Sequence, residues 1–479
     1  MDEFKTTIGL EIHCQLKTKS KMFCSCDNDA EGKEPNQLTC PVCLAMPGTL
    51  PVANREAIEM TVMTGIAMGC EIPKESKFDR KHYFYPDLPK GFQISQYDQP
   101  LCKGGMVEIK FEIRNPNDES NLKSEIRKIR LNRIHLEEDA GKLIHPKGKD
   151  YSLVDLNRAG TPLMEIVTEP DIISPAEAKK FMEELQLVVR YLGVSDADME
   201  KGHLRCDANI SVQKNGKSSP IVEIKNLNSF RFVEQALLFE EKRLRDDYDN
   251  WPEKRQKITR GFDSDKGTTF EQRRKEEAAD YRYFPEPDVP PISFTEDQLN
   301  ILKSKVKKLP KVQHQKYISA GIRDDVADKI IRQPHLVEYL ENAKELEKDL
   351  VTFVAEQVKA DDTKKVSILD LADLVNLTKA GIISKTVAKE VYGEMVNTGK
   401  KAAEIIKEKG LEQVSDNSEL ESQINEVIKE NPELVEKYKS GKTSVIGFFV
   451  GKVMQKTKGK ANPQLLNNLL KEKLDGNNY

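Results

Sequence analysis

The stretch Thr7-Ile-Gly-Leu-Glu-Ile-His-Cys-Gln-Leu16 alternates without a break. Ile8, Leu10, Ile12, Cys14 and Leu16 fall on one side of an extended chain, and Gly9, Glu11, His13 and Gln15 on the other. A period of two makes this a strand with one apolar and one polar face. Leu204 to Gln213 repeats the pattern, with Cys206, Ala208, Ile210 and Val212 opposite Arg205, Asp207, Asn209 and Ser211. Asn215-Gly216 is a hairpin dipeptide, and the return strand from Ile221 brings Glu223 and Lys225 to one face. These strands predict an antiparallel sheet, apolar and covered on one side, polar and open on the other. A face with carboxylates, an imidazole, a guanidinium and an ammonium suits Mg²⁺ and ATP: acids supply oxygen ligands and cations meet phosphate. The plainer alternative is a set of half-buried strands with a wet face. Neither a G-x-x-x-x-G-K-[ST] loop nor a kinase glycine-rich loop occurs, so the common phosphate cradles are missing.

At 479 residues the chain exceeds one ordinary core, and about two to four domains are expected. With 32% charged residues but a net charge of −4, it is no polycation, so nucleic-acid contact requires local patches. No apolar run of about 18 residues suggests a membrane span. Met-Asp-Glu-Phe-Lys lacks the character of a signal peptide, so a cytoplasmic protein is expected, where disulfides are disfavoured.

Its cysteines then need another role. Cys24-Ser-Cys26, a gap of thirteen, and Cys40-Pro-Val-Cys43 form two knuckles able to close around one tetrahedral Zn²⁺. Four thiolates leave no open position, so the zinc expected at 24–43 is structural. Cys14, Cys70, Cys102 and Cys206 sit in apolar patterns and read as core residues.

Asn54 and Gly69 bracket a helix over 53–70. Lys77 to Pro100 is dense in aromatics, prolines and cations and reads as a long ordered loop, with Lys81 and Lys90 either candidates to touch phosphate or a tRNA end or solvated surface charges. Residues 106–114 and 125–136 read as a hairpin around Asn115–Asn121. In its second strand the apolar parity switches from Ile129 and Leu131 to Ile134 and Leu136, which predicts a bulge. Glu137, Glu138 and Asp139 follow, three acids that a cation would relieve. Asp155, Asn157 and Glu165 interrupt apolar runs, as edge or site-lining positions. Ser174-Pro-Ala-Glu177 opens an amphipathic helix that Gly193 stops. Asp280 to Pro291 reads as a proline-rich strap. The chain is then helical, and Lys437 to Leu470 carries seven lysines and no acid, a candidate phosphate-backbone patch or a solvated face.

Ile8 to His13, Lys77 to Pro100, His135 to Gly141, Tyr151 to Pro170, Leu204 to Ser211, Glu223 to Phe230, Asp280 to Pro287 and Gly447 to Leu470 together resemble the GatB family, the B subunits of tRNA-dependent Asp/Glu amidotransferases. The resemblance implies an α+β fold. A curved antiparallel cradle like that of glutamine synthetase and guanido kinases, with the zinc knuckle, would span 1–293. Two helical domains would follow at 294–399 and 400–479, the last binding tRNA. It implies a carbon–nitrogen ligase with glutamine as amido donor, which uses ATP and Mg²⁺ to phosphorylate the side-chain carboxylate of misattached Glu-tRNA(Gln) or Asp-tRNA(Asn). Ammonia from a separate amidase (glutaminase) subunit completes the amide, and a small third subunit completes a heterotrimer. The family's metal ligands map onto Glu11, His13, Glu138 and Glu165. Arg205 would meet phosphate, with Asn209 and Lys225 at the nucleotide, Asp207 or Glu223 at a second Mg²⁺, and Lys81 and Lys90 at ammonia entry. Lys442, Lys452, Lys456, Lys458 and Lys460 are the tail cations for tRNA; lysine stands where the family often has arginine, at 458–460. Two other readings compete: a non-catalytic tRNA-binding subunit, and a free-standing ligase acting on a small amino acid.

Overall fold

The alternating strands form and bury the predicted side. In chain order the sheet strands are β1 (Lys5–Gln15), β2 (Asp79–His82), β3 (Phe92–Ser95), β4 (Cys102–Lys103), β5 (Met106–Asn115), β6 (Asp118–Glu138), β7 (Pro162–Thr168), β8 (Leu204–Lys214), β9 (Ile221–Leu227), β10 (Lys257–Asp263), β11 (Thr268–Glu271) and β12 (Phe284–Pro285). The computed structural model describes residues 4–115, 118–272, 281–306, 309–411, 417–441, 443–457, 461 and 463–476, with side chains except at 112–115, 118–124, 417–419 and 463–464. The large sheet runs β11-β10-β9-β8-β1-β7-β6-β4; β5 also pairs with β6, and Lys217–Ser218 folds back on β8 after Asn215 and Gly216, both at positive φ. A smaller sheet runs β12-β2-β3.

Three helices, α1 (Arg55–Ala67), α2 (Pro175–Tyr191) and α3 (Phe230–Asp246), share one core with the apolar side of this sheet. Ile8, Leu10, Ile12 and Cys14 of β1 meet Met164 and Ile166 of β7, Cys206, Ala208 and Ile210 of β8, and Phe181, Leu185, Val233 and Leu237 of the helices. Each Ile, Leu, Val, Met or Phe among them contributes about 1.5–3 kcal/mol by leaving water. The Asn54 side chain accepts the Glu56 and Ala57 amides at the start of α1, and Ser174 accepts that of Glu177 at the start of α2. The Glu177 carboxylate accepts from Ile173 N–H.

The expected bulge is one residue, Asn132. β6 pairs Arg133 with Val167 and Leu131 with Thr168, so Asn132 has no partner in β7. This extra residue lets Ile129 and Leu131 before it, and Ile134 and Leu136 after it, all enter the core. Downstream of it, Arg133, His135 and Glu137 face the polar side.

Two features depart from the sequence-based expectation. β9 and β10 are parallel, because α3 lies between them in the chain and returns it to the same edge. The helix itself starts at Ser229, whose hydroxyl accepts from the Phe232 amide. The polar side is also less open than expected, since the Ser95 hydroxyl of β3 donates to Glu137 near the end of β6.

The chain divides into two compact units, Met1–Pro310 and Lys311–Tyr479. The described elements of the second unit are all helical. Within it Leu420, Ile424, Val427, Phe449, Val453, Leu466 and Leu470 form a separate small core. Among the described residues no helix is long and apolar enough to cross a membrane.

Candidate active site and metal-binding clusters

Strand register builds the polar cluster. His13 lies opposite Glu165 across β1 and β7, and Glu165 opposite His135 across β7 and β6. Glu137, two residues past His135, points the same way. His13 Nε2 is 3.5 Å from Glu165 and 3.8 Å from Glu137. His135 Nε2 is 3.3 Å from Glu165 and 3.7 Å from Glu137. Ligand atoms of His13, Glu137 and Glu165 all lie within 4.8 Å of one another, close enough to share one ion. Two carboxylates offer the oxygen donors that Mg²⁺ prefers. Buried Asn209 Oδ1, without a hydrogen-bond partner among the described residues, is one further oxygen on the same face. Its amide nitrogen donates to Glu11 at 3.0 Å.

The protonation states follow from crowding. Burial opposes a charge on His135, but Glu165 and Glu137 outweigh it and raise the imidazole to about 9. Burial likewise opposes a charge on His13, and Glu165 and Glu137 again raise it. Burial would push Glu137 up; the Lys81 ammonium and His135 bring it down to about 2. Glu165 is held well below the carboxylate range, against burial, by His135 and His13. With no cation bound, the two imidazoles thus supply the positive charge that a divalent ion would supply instead.

Cations rim the cluster. Lys81 lies 5.3 Å from the Tyr281 ring centroid, and Glu137 keeps its ammonium charged against burial. Tyr283, stacked on Tyr97 with centroids 4.3 Å apart, is pushed up to about 12 by burial. Arg205 donates to Asp139 at 2.7 Å, and Gln15 donates to the same oxygen. Further along the face Lys225 bridges Glu223 at 3.0 Å and Asp207 at 3.1 Å, while Lys257 and the Thr259 hydroxyl also reach Glu223.

Of the residues singled out in the sequence, His13 and Glu165 meet in the cluster, with Glu11 and Arg205 on the same face. Glu138 does not join it. Parity turns its side chain to the opposite side of β6, where it takes a bond from Lys90 at 2.5 Å and the Ile94 amide at 3.0 Å. Lys90 is thereby engaged as well. Glu137, Asp139 and His135 stand in the site instead; the run of three acids pointed to the first two beforehand. Asp155 and Asn157 line no part of it. Asp155 accepts the Asn36 amide and Asn157 that of Leu38, so both brace the cysteine loop.

That loop brings Cys24, Cys26, Cys40 and Cys43 together, with their sulfurs within 4.8 Å of one another. A donating Cys24 thiol holds Cys43 below the ordinary thiol range against burial, helped by the Cys40 amide at 3.0 Å and Lys21. Four sulfurs at this spacing suit a tetrahedral, thiophilic ion such as Zn²⁺. Of the tail lysines, Lys456 pairs with Glu430 at 2.9 Å and Glu426 at 3.1 Å, and Lys452 lies 5.9 Å from the Phe448 ring centroid. Lys442, Lys458 and Lys460 lie outside the described residues.

Fold and site thus define a mixed α/β protein with a carboxylate–imidazole cluster, a thiolate knuckle and a helical C-terminal region. Residues 6–300 match the GatB/GatE catalytic domain, and residues 334–474 match the GatB domain. The chain is 47% identical to the B subunit of the aspartyl/glutamyl-tRNA(Asn/Gln) amidotransferase of Thermodesulfovibrio yellowstonii, over 98% of each chain. It is 45% identical to that of Thermotoga petrophila, over 99% of each, and 44% identical to that of Dehalococcoides mccartyi, over 99% of this chain and 100% of the relative. The chain belongs to the GatB family of amidotransferase B subunits, as its motifs led one to expect.

Proposed function

We propose that this chain is the synthetic subunit of a tRNA-dependent amidotransferase, converting Glu-tRNA(Gln), Asp-tRNA(Asn) or both to the amide. The observation that carries the proposal is the closure of His13, Glu137 and Glu165 around one point on a sheet face rimmed by Lys81 and Arg205.

A free carboxylate resists ammonia because oxide would have to leave. Phosphorylation solves this: a carboxylate oxygen of the substrate attacks the γ-phosphorus of ATP, the bond to the bridging oxygen breaks, and ADP departs. Ammonia then adds to the acyl carbon, loses a proton, and phosphate leaves with the oxygen. Mg²⁺, held by Glu137 and Glu165 with His13, would offset the repulsion between carboxylate and triphosphate. Arg205, steadied by Asp139, meets phosphate oxygens. Asn209 and Lys225 hold the nucleotide, and Asp207 or Glu223 is the acid available to a second ion. Lys81, set among Tyr83, Tyr281 and Tyr283, lines the path of ammonia, and the surrounding rings shield the acyl phosphate from water. The sheet region at 1–293 serves as the catalytic cradle, of the glutamine synthetase kind, with Zn²⁺ in its knuckle. Helical regions at 294–399 and 400–479 serve tRNA, the tail through Lys452 and the lysines at 442, 458 and 460; Lys456 contributes once its acids release it. A glutaminase subunit, which supplies the ammonia, and a small third subunit complete a cytoplasmic heterotrimer.

The test is ADP release by the reconstituted complex with Mg²⁺, with and without Glu-tRNA(Gln). Turnover that needs the misacylated tRNA and falls at least about 100-fold in Glu165→Gln supports the reading. Absence of tRNA-dependent turnover with ammonia supplied would leave a non-catalytic tRNA-binding subunit.

A further inference from the structure

Lys21 is fully buried, and among the described residues no carboxylate pairs with it. Its ammonium donates to Leu38 O at 2.7 Å and reaches Leu156 O at 3.4 Å. One carbonyl belongs to the cysteine loop and the other to the segment that precedes β7. A buried ammonium held by carbonyls alone is costly, and a nearby negative charge must compensate for it. Four thiolates around one divalent ion carry a net charge of −2, and Lys21 lies beside Cys43. A Cβ on Gly160 would meet Lys21 Cδ at 3.5 Å and Cys43 Cβ at 3.9 Å.

Lys21 is one of several ties between the two segments. Asn36 donates through its amide to Asp155 and through its side chain to Val154 O, and accepts from the Leu156 amide at 2.8 Å. Asn157 accepts from the Leu38 amide and donates to Glu34 O at 2.7 Å. From there the segment grips the site. The Gly160 amide donates to Asp139 O at 2.9 Å, and the Asp139 amide to Thr161 O at 2.8 Å. Arg158 donates to Ala140 O and Gly141 O. Asp139 is the residue that holds Arg205 at 2.7 Å.

We propose that the closed thiolate knuckle sets the position of Arg205, with Lys21 as counter-charge and Lys21, Asn36 and Asn157 as the positioning residues that carry the coupling. The consequence for catalysis rests on the phosphate role of Arg205 proposed above; the coupling itself does not. Loss of the ion and reprotonation of the other thiols leave Lys21 with the Cys43 thiolate in place of a net charge of −2 and loosen the loop around Leu38, so the 154–161 segment and Asp139 lose part of their brace.

The test uses the full chain, Zn²⁺-loaded and chelator-stripped, beside Lys21→Met and Asn157→Ala. Lys201→Ala, which removes only an exposed pair to Glu31, is the control. Amide exchange at Asp139, Gly160 and Thr161 is read by mass spectrometry, Zn²⁺ release by a chromogenic chelator, and Mg·ATP binding by calorimetry. Stripping is expected to speed exchange at these amides, while the amides of β1 stay protected. Lys21→Met is expected to release Zn²⁺ about tenfold faster, and both Lys21→Met and stripping to weaken Mg·ATP binding about tenfold. Unchanged exchange at 139–161 after stripping overturns the coupling, as does Lys21→Met with wild-type exchange and Zn²⁺ release. If loaded wild-type protein bound no Mg·ATP, the phosphate role would fall, and exchange would still decide the coupling.

Discussion

Adjacent glutamates on β6 have opposite fates, and exchanging each for glutamine separates them. Glu138 is 2% exposed, paired with Lys90 at 2.5 Å and bonded by the Ile94 amide. Glu138→Gln keeps an acceptor for that amide but leaves the Lys90 ammonium, 18% exposed, without its counter-charge. Breaking a buried pair costs about 3–5 kcal/mol, and the residual exposure of Lys90 brings this to about 2–3 kcal/mol. Mg²⁺ affinity should hardly change. Glu137→Gln differs at the ion. It removes one of two carboxylates from the cluster, so Mg²⁺ affinity should fall about 100-fold, or about 2.7 kcal/mol. Metal-free stability should fall as well, by about 2–4 kcal/mol, because Glu137 is held at about 2 by the Lys81 ammonium and His135, so Mg²⁺ affinity is the quantity that separates the two variants. Calorimetric Mg²⁺ titration reads the first quantity. Urea unfolding followed by the single, buried Trp251 reads the second, and reports on the sheet unit alone. If Glu138→Gln lost the ion and Glu137→Gln kept it, the facing of β6 argued above would be wrong.

His135, held at about 9 against an ordinary 6.5, binds a proton more tightly when folded. Its contribution to metal-free stability is therefore complete below pH 6.5 and disappears as the pH rises through 9, a change of about 3 kcal/mol. Urea midpoints should fall over that window, and far less in Glu165→Gln; an NMR titration placing His135 near 6.5 in the wild type would refute the account. In α1, a Cβ on Gly65 would collide with Cys102 Sγ. Gly65→Ala should cost about 1–3 kcal/mol by overpacking, and Gly65→Ala/Cys102→Ala should recover most of it; equal loss in both would place the strain elsewhere.

Much of the site was legible because a strand's period is two. The alternation in β1 and β8 put Glu11, His13, Arg205, Asp207 and Asn209 on one face, where they lie. The parity switch in β6 announced the bulge and carried more than was taken from it. Once Ile134 and Leu136 are assigned to the core, Glu137 must share a face with the ion cluster and Glu138 cannot. The resemblance pointed instead to Glu138, one residue away. Long-range ties were not legible: nothing near Asp155 or Asn157 in sequence says that a cysteine loop over a hundred residues earlier caps their neighbours. The helix α3 did carry a signal, Ser229 followed by Val233, Ala236, Leu237 and Leu244 at helical spacing. With it came the parallel β9–β10 pair, since a helix of that length between neighbouring strands permits a crossover.

Asn132 gives β6 something like a reading frame. Every residue downstream takes its side of the sheet from the count up to that point. Deleting Asn132 would remove the bulge and leave Leu131 and Arg133 in unbroken alternation, so His135 and Glu137 would keep their side. Deleting a second residue there would present Leu136 and Glu138 to the cluster and drive His135 and Glu137 into hydrocarbon. The strand thus tolerates the loss of its one unpaired residue and not of a further, paired one.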